Sequence, residues 1–211
     1  MAKKQFILIM TDSQRRDMIS RCNERGENMH TPCLDRLCDE GLAFNSAYTT
    51  QPVCGPARAG LFTGTYPHTN GMLGNCMALS QQSLTIGQRL SREGIHAAYI
   101  GKWHLDGGDY FGDGICPDGW DEEYWYDMRN YLDELESDKD RERSRKLETA
   151  LEGDGIGEEF TYGYRCTKRA LDFMEKHKDE DYFLVVSYDE PHHPFLAPKS
   201  YYEPFYKPYL Q

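Results

Sequence analysis

No apolar run in this sequence approaches the ~20 residues that a membrane-spanning helix requires, so a helical span is excluded from the reading. Positive charge is scarce as well. Lys and Arg number 24 against 35 Asp and Glu, a formal net charge of −11. A chain of that sign is repelled at long range by nucleic acid and by anionic membrane, and neither is expected as a partner. An anionic ligand then needs a local basic site. The seven cysteines lack regular spacing: Cys33 and Cys38 stand five apart rather than as Cys-x-x-Cys. This argues against a zinc site or a disulfide framework and for free thiols in a reducing compartment. A recognisable leader is also missing, because the apolar run Phe6 to Met10 after Met1-Ala2-Lys3-Lys4 is too short for a signal peptide and has no small-residue cleavage site. A cytoplasmic location is the expectation, or a periplasmic or secreted one if a leader has been removed. What remains is 211 residues with 39% hydrophobic content, enough for one domain or most of one.

Several segments announce an α/β fold, a mainly parallel sheet with helices on both faces. Phe6 to Met10 has the pattern of a central parallel strand, and it delivers Thr11-Asp12-Ser13 at its C-terminal end. On its own, Asp12 also fits a loop-end or helix-capping carboxylate. Thr31 to Gly41 reads as a short helix with Thr31 as N-cap and Pro32 at its first position, and Leu42 to Thr50 as strand or extended chain. Gly64 to Gly74 reads as an irregular loop carrying His68. Ser83 to Gly94 is a second capped helix, with Ile86 and Leu90 apolar, followed by a strand over Ile95 to Ile100 that ends in Gly101-Lys102-Trp103-His104-Leu105. Lys102 and His104 are two apart, so an extended backbone points both the same way; the alternative is a solvated lysine and a capping histidine. From about 106 to 159 the composition turns to Gly and Asp, then Trp and Tyr, then dense alternating charge. That predicts a peripheral excursion, although Gly108 to Trp120 could shape substrate access. Helical spacing returns over Glu159 to Lys178 through Tyr164, Ala170, Leu171, Phe173 and Met174. A second buried strand, Tyr182 to Tyr188, leads into Asp189-Glu190-Pro191-His192-His193-Pro194.

The stretch with most chemistry is Pro52-Val53-Cys54-Gly55-Pro56-Ala57-Arg58 through Leu61-Phe62-Thr63-Gly64. Pro56 suits the opening turn of a helix, which places Cys54 at a helix N-terminus. Arg58 returns to the same face one turn later, where a guanidinium can fork onto an oxyanion. Taken alone, the stretch could equally be a helix end with a buried inert cysteine.

Cys-x-Pro-x-Arg followed by Leu-Phe-Thr-Gly resembles the sequence by which type I sulfatases are recognised for conversion of a cysteine to formylglycine. Gly101 to Leu105 and Pro191-His192-His193-Pro194 resemble two further motifs of that family. The resemblance runs from Phe6 to about Pro198 and implies an alkaline-phosphatase-like fold. It implies that 1–211 is the N-terminal part of a longer catalytic domain, and that a separate maturation enzyme converts Cys54. It further implies a divalent cation at Asp12 and residue 54, calcium first, with magnesium or manganese as alternatives. Ser13 stands where the family carries a second Asp or a Gln, and nothing after His193 matches the family's later acidic pair or lysine. By the same resemblance, Cys54, Arg58, Lys102, His104 and His192 are the catalytic set. Arg58 and Lys102 would balance charge on the tetrahedral centre, His192 would meet the leaving oxygen, and His104 would take a proton from the hydrated aldehyde. The implied substrate is a sulfated small molecule or carbohydrate. A phosphonate monoester or phosphodiester hydrolase is the nearest alternative, and a non-catalytic module holding an activated Cys54 thiol is the alternative from another class.

Overall fold

In the computed structural model, residues 3–24, 29–107, 110–146 and 156–206 are described. Three parallel strands, β1 (Gln5–Thr11), β2 (His96–Gly101) and β3 (Tyr182–Tyr188), form one sheet in the order β1-β3-β2. The helices in chain order are α1 (Pro32–Glu40), α2 (Cys54–Thr63), α3 (Pro67–Asn70), α4 (Ile86–Arg92), α5 (Met128–Glu134), α6 (Asp138–Arg143), α7 (Tyr162–Lys176) and α8 (Lys199–Tyr206). The α/β class read from the sequence is therefore the one observed. Among the described residues no helix is long and apolar enough to cross a membrane.

Strand pleating sorts the core into two layers. Ala98, Ile100, Tyr182, Leu184 and Val186 face α7, where Tyr162, Cys166, Ala170 and Phe173 meet them. Ala97, Tyr99, Phe183 and Val185 face the opposite way, onto Ala59 and Phe62 of α2 and onto Trp103, Trp120 and Trp125. β3 is the buried centre of the sheet. Among the described residues β1 lies at one side of the sheet rather than at its centre as expected, with Phe6 62% and Ile9 60% exposed. An apolar run reports that a strand has something to cover it, not where in the sheet it lies.

Other expectations shift in detail. Thr31 precedes α1 but its side chain does not cap the helix: its hydroxyl accepts from the Ser20 amide at 2.8 Å. Leu42 to Thr50 forms no strand. His68 lies on the short helix α3 and is stacked on Tyr66 rather than in an irregular loop. α4 is capped, but it starts later than the Ser83 to Gly94 reading, at Ile86, with Thr85 as its cap through a reciprocal pair with Gln88. Tyr164 and Leu171 of α7 point outward, Leu171 at 59% exposure, while Cys166 and Phe173 are fully buried.

The largest departure is the segment at about 106–159. Far from being wholly peripheral, it sends Trp120 and Trp125 into one core layer and Tyr126, Met128, Tyr131, Leu132 and Leu135 into the other. Gly87 lets α4 press on Trp120, since a Cβ there would lie 2.6 Å from the indole. Only the charged end behaves as read: α6 has no buried residue, and residues 147–155 lie outside the described set.

Burial on α7 gives a direct check. Phe173→Ala is expected to cost about 3–5 kcal/mol of unfolding free energy, and Leu171→Ala less than about 0.5 kcal/mol, as read by urea denaturation.

Candidate active site

Parallel register aligns the three strand ends. Thr11 pairs with Tyr188 and Gly101 with Ser187, so Asp12, Lys102 and Asp189 are each the first residue past a strand. Sites of open α/β sheets form at this edge. The Lys102 side chain is fully buried, and its ammonium lies 2.8 Å from Asp12 Oδ2 and 2.9 Å from Asp189 Oδ1. The Tyr110 ring lies 4.3 Å from the same nitrogen, and the Tyr110 hydroxyl donates to Asp189 Oδ1 at 2.5 Å. Burial and the Asp189 charge push the Tyr110 hydroxyl well above its ordinary range, which keeps it a donor.

Cys54 is the first residue of α2, as expected, and the amide of Gly55 donates to Asn75 Oδ1 at 2.8 Å. Its thiol points at Asp12 Oδ1, 3.6 Å away, with the Ser13 hydroxyl 3.0 Å from the same oxygen. Burial and then the Asp12 charge push the thiol upward despite Lys102 and Arg58. At neutral pH Cys54 is therefore a protonated thiol, contrary to the activated thiolate of the sensor alternative. Asp12 is in the opposite position: burial alone would raise its carboxyl, but Lys102, Arg58 and Ser13 outweigh it and hold it at about 2.

Arg58 does not reach outward to an oxyanion. Its guanidinium is buried and donates to the Lys102 carbonyl at 2.6 Å, the Ser187 hydroxyl at 2.8 Å and Asp12 Oδ2 at 3.3 Å, so it clamps all three strand ends. Lys102 is likewise committed to carboxylates. Two cations thus face two anions, and the floor of the site carries no net charge with which to meet an anionic ligand.

His104 joins the site, though not along an extended backbone. Gly101 at φ 119° and His104 at φ 59° turn the chain. A Cβ at Gly101 would fall 2.0 Å from the Ser187 carbonyl oxygen, so only glycine fits there. Burial, followed by the Lys102 and Arg58 charges, holds His104 down at about 4, and its Nδ1 is buried with no hydrogen-bond partner. It is a neutral imidazole with an uncommitted nitrogen. His192 comes from the turn after β3 and forms a group with Asp12 and Cys54 whose ligand atoms lie within 4.8 Å of one another. Its Nδ1 is 2.8 Å from the His193 carbonyl and 3.0 Å from the Tyr110 hydroxyl. His193 is exposed and outside this group.

The residues brought together include four that sequence reasoning missed: Asp189, Tyr110, Ser187, and Tyr99, whose hydroxyl donates to the Lys102 carbonyl at 2.6 Å. Asp189 had a signal, since it stands directly after a buried strand just as Asp12 does. Tyr110 had only the reading that Gly108 to Trp120 could shape substrate access. Two hollows open here. One of about 430 Å³ borders Asp12, Tyr48, Thr50 and Cys54. The other, about 250 Å³, runs from Asp189 and His192 along Tyr110, Phe111 and Tyr131.

The fit to a divalent cation is partial. Asp12, Cys54 and His192 can together hold a metal ion, but their mixed oxygen, sulfur and nitrogen donors do not suit calcium, which takes about 6–8 oxygens. Asp12 is a hard ligand as it stands; residue 54 becomes one only when oxygen replaces its sulfur.

A sequence model described as Sulfatase matches residues 4–210. The uncharacterized sulfatase YidJ of Escherichia coli is 45% identical over 211 residues, covering 97% of this chain and 42% of the relative. An N-acetylglucosamine-6-O-sulfatase of Bacteroides thetaiotaomicron is 29% identical over 150 residues, covering 65% of this chain and 26% of its own length. In fold, the phosphonate monoester hydrolase of Agrobacterium radiobacter is similar with a TM-score of 0.72 at 19% identity, over 95% of this chain and 44% of that one. The chain spans less than half the length of these proteins.

The neutrality of His104 is testable by titration. Its pKa in the fold, about 4, lies below the ordinary 6.5, so the unfolded state binds more protons between those values. The stability contributed by the neutral ring is complete above pH 6.5 and lost as pH falls toward 4, by at most about 3 kcal/mol. The ring should titrate near pH 4 by NMR, and subtracting the stability profile of His104→Gln from that of the parent should leave this slope.

Proposed function

Because the chain belongs to the sulfatase family, we propose that it hydrolyses a sulfate monoester, breaking the bond between sulfur and the ester oxygen to release an alcohol and inorganic sulfate. The observation that carries this reading is Cys54: first residue of a helix, thiol held protonated, aimed at an ionised Asp12. A thiolate nucleophile is disfavoured there, whereas a cysteine awaiting conversion by a formylglycine-generating enzyme fits. Once converted and hydrated, residue 54 supplies an oxygen nucleophile and a second hydroxyl through which sulfate is released. Asp12 and the oxygen of residue 54 would hold the divalent cation, calcium first, whose charge draws in the sulfate group.

The chain's own residues then divide the work. Lys102 and Arg58 keep Asp12 ionised and fix it against residue 54, in place of the charge balance on the tetrahedral centre that the resemblance implied. That leaves charge neutralisation of the substrate to the cation, in keeping with a floor of no net charge. His104, neutral and with an unpartnered nitrogen, is the proton acceptor. His192 serves the leaving oxygen. Its Nδ1–H is held by the His193 carbonyl, which leaves Nε2 for the proton, and Tyr110 braces the ring at a centroid distance of 5.1 Å. The hollow along Tyr110, Phe111 and Tyr131 seats the leaving alcohol. Its aromatic wall suits the face of a sugar, and a sulfated carbohydrate agrees with the similarity to the N-acetylglucosamine-6-O-sulfatase of Bacteroides thetaiotaomicron. A phosphonate monoester is the second reading, supported by the Agrobacterium radiobacter neighbour in fold alone.

Two measurements decide. In protein purified from its native host, the peptide bearing Cys54 should have lost one sulfur and two hydrogens and gained one oxygen; an unchanged thiol overturns the reading. Cys54→Ala should abolish turnover of an aryl sulfate, a loss of more than about 10³-fold, without unfolding the protein. Turnover of a phosphonate monoester with none of the aryl sulfate would replace the first reading by the second.

A further inference from the structure

At the other end of the sheet a second cluster of ligand-type side chains has no part in this chemistry. His96 is the first residue of β2, His177 follows the last residue of α7, and Glu180 lies in the turn into β3. We propose that His96, His177 and Glu180 form a binding site for one divalent transition-metal ion of the zinc class.

The geometry is that of a nearly assembled site. His177 Nδ1 is 3.0 Å and His96 Nδ1 is 3.4 Å from the same oxygen, Glu180 Oε2, and the three side chains have ligand atoms within 4.8 Å of one another. Zinc with bonds of 2.0–2.1 Å to nitrogen and oxygen in a tetrahedral shell sets neighbouring ligand atoms about 3.3 Å apart, which the two nitrogen-to-oxygen distances bracket. The two imidazoles cross at 87° with centroids 4.5 Å apart, so a small turn of either brings its Nδ1 onto a common centre.

The outward nitrogens provide an independent observation. His96 Nε2 lies 2.5 Å from Asp121 Oδ2, and His177 Nε2 lies 3.1 Å from the Tyr124 hydroxyl. Each ring is thus held from behind by an oxygen that can accept its Nε2 proton, so that Nδ1 can give up the proton it shares with Glu180 Oε2 and offer its lone pair to an ion in its place. Such outer partners orient metal-binding histidines. Phe173 packs on both rings, at 5.2 Å and 4.6 Å, and excludes water from the inner side, while Glu180, half exposed, leaves a way in. Lys176, 5.3 Å over the Tyr124 ring, is paired with Glu123. The ligands are hard oxygen and borderline nitrogen without sulfur, which suits zinc, cobalt or nickel rather than calcium. Because β2, α7 and β3 each contribute at or beside an end, a bound ion would tie the base of the sheet together and stabilise the fold by mass action.

The test is a titration of the whole protein with Co²⁺ alone, in a Cys54→Ala background that removes the thiol of the Asp12, Cys54 and His192 group; the third such group among the described residues, Asp106, Asp113 and Asp127, offers only carboxylate oxygens. One equivalent should bind, with visible d–d absorption and no thiolate charge-transfer band, and Zn²⁺ should displace it and raise Tm. Glu180→Gln, at a half-exposed position that spares the core, and His177→Gln should each weaken binding more than about tenfold. Binding that is unchanged in Glu180→Gln, a thiolate band, or no stoichiometric binding would each overturn the site and leave the cluster as a hydrogen-bonded latch.

Discussion

One ammonium group holds the C-terminal edge of the sheet together. Lys102 Nζ lies between Asp12 and Asp189, carboxylates that begin the segments beyond β1 and β3, while Lys102 itself begins the segment beyond β2. Without it two buried carboxylates would confront each other, and one would take up a proton. With it Asp12 stays ionised, and Arg58 completes the neutralisation by binding Asp12 and the Lys102 carbonyl together. The three strands are therefore joined at this edge by charge as well as by the backbone ladder. A buried ion pair of this kind adds little net stability over an apolar substitute but is costly to break on one side, so its value lies in fixing where Asp12 points.

What Asp12 points at is Cys54, and the field around it has opposite effects on the two groups. The cations that lower Asp12 do not lower the thiol enough to offset burial and the Asp12 charge. The same arrangement commits Lys102 and Arg58 to carboxylates and strand ends; in the proposed reaction they are supports, and contact with substrate falls to residue 54, His104 and His192. The aromatic packing beneath serves this layout: Trp103, between Lys102 and His104, is buried against Phe62, Tyr99 and Trp125, and so anchors the turn that carries both polar residues.

Much of this was legible in the residues. The strand runs, the glycine before Lys102 and the proline after Cys54 located β2, β3 and the start of α2, because each expresses a local backbone requirement. Motif resemblance brought Asp12, Cys54, Lys102, His104 and His192 to one place, and the structure gathers them there. Illegible were the properties that depend on what lies across the fold. β1 reads as central yet lies at one side of the described sheet, and Arg58 reads as an anion fork yet is consumed by strand ends 44 and 129 residues away in sequence. Tyr110 and Trp120 lie in a stretch whose composition resembles a surface excursion; Trp120 is buried against Phe62, Tyr99 and Gly87, and Tyr110 is held by Lys102, Asp189 and His192 at the strand ends, contacts across the fold that no local pattern encodes.

The claim that Lys102 organises the site by neutralising two carboxylates is tested most directly by a double-mutant cycle with Asp189, read as unfolding free energies by urea denaturation. Lys102→Met alone should cost about 3–5 kcal/mol, because it strands two buried charges. In the Asp189→Asn background the same change should cost less, with a coupling energy of about 1–3 kcal/mol. A coupling near zero would mean that the two groups do not depend on one another, and would contradict the account.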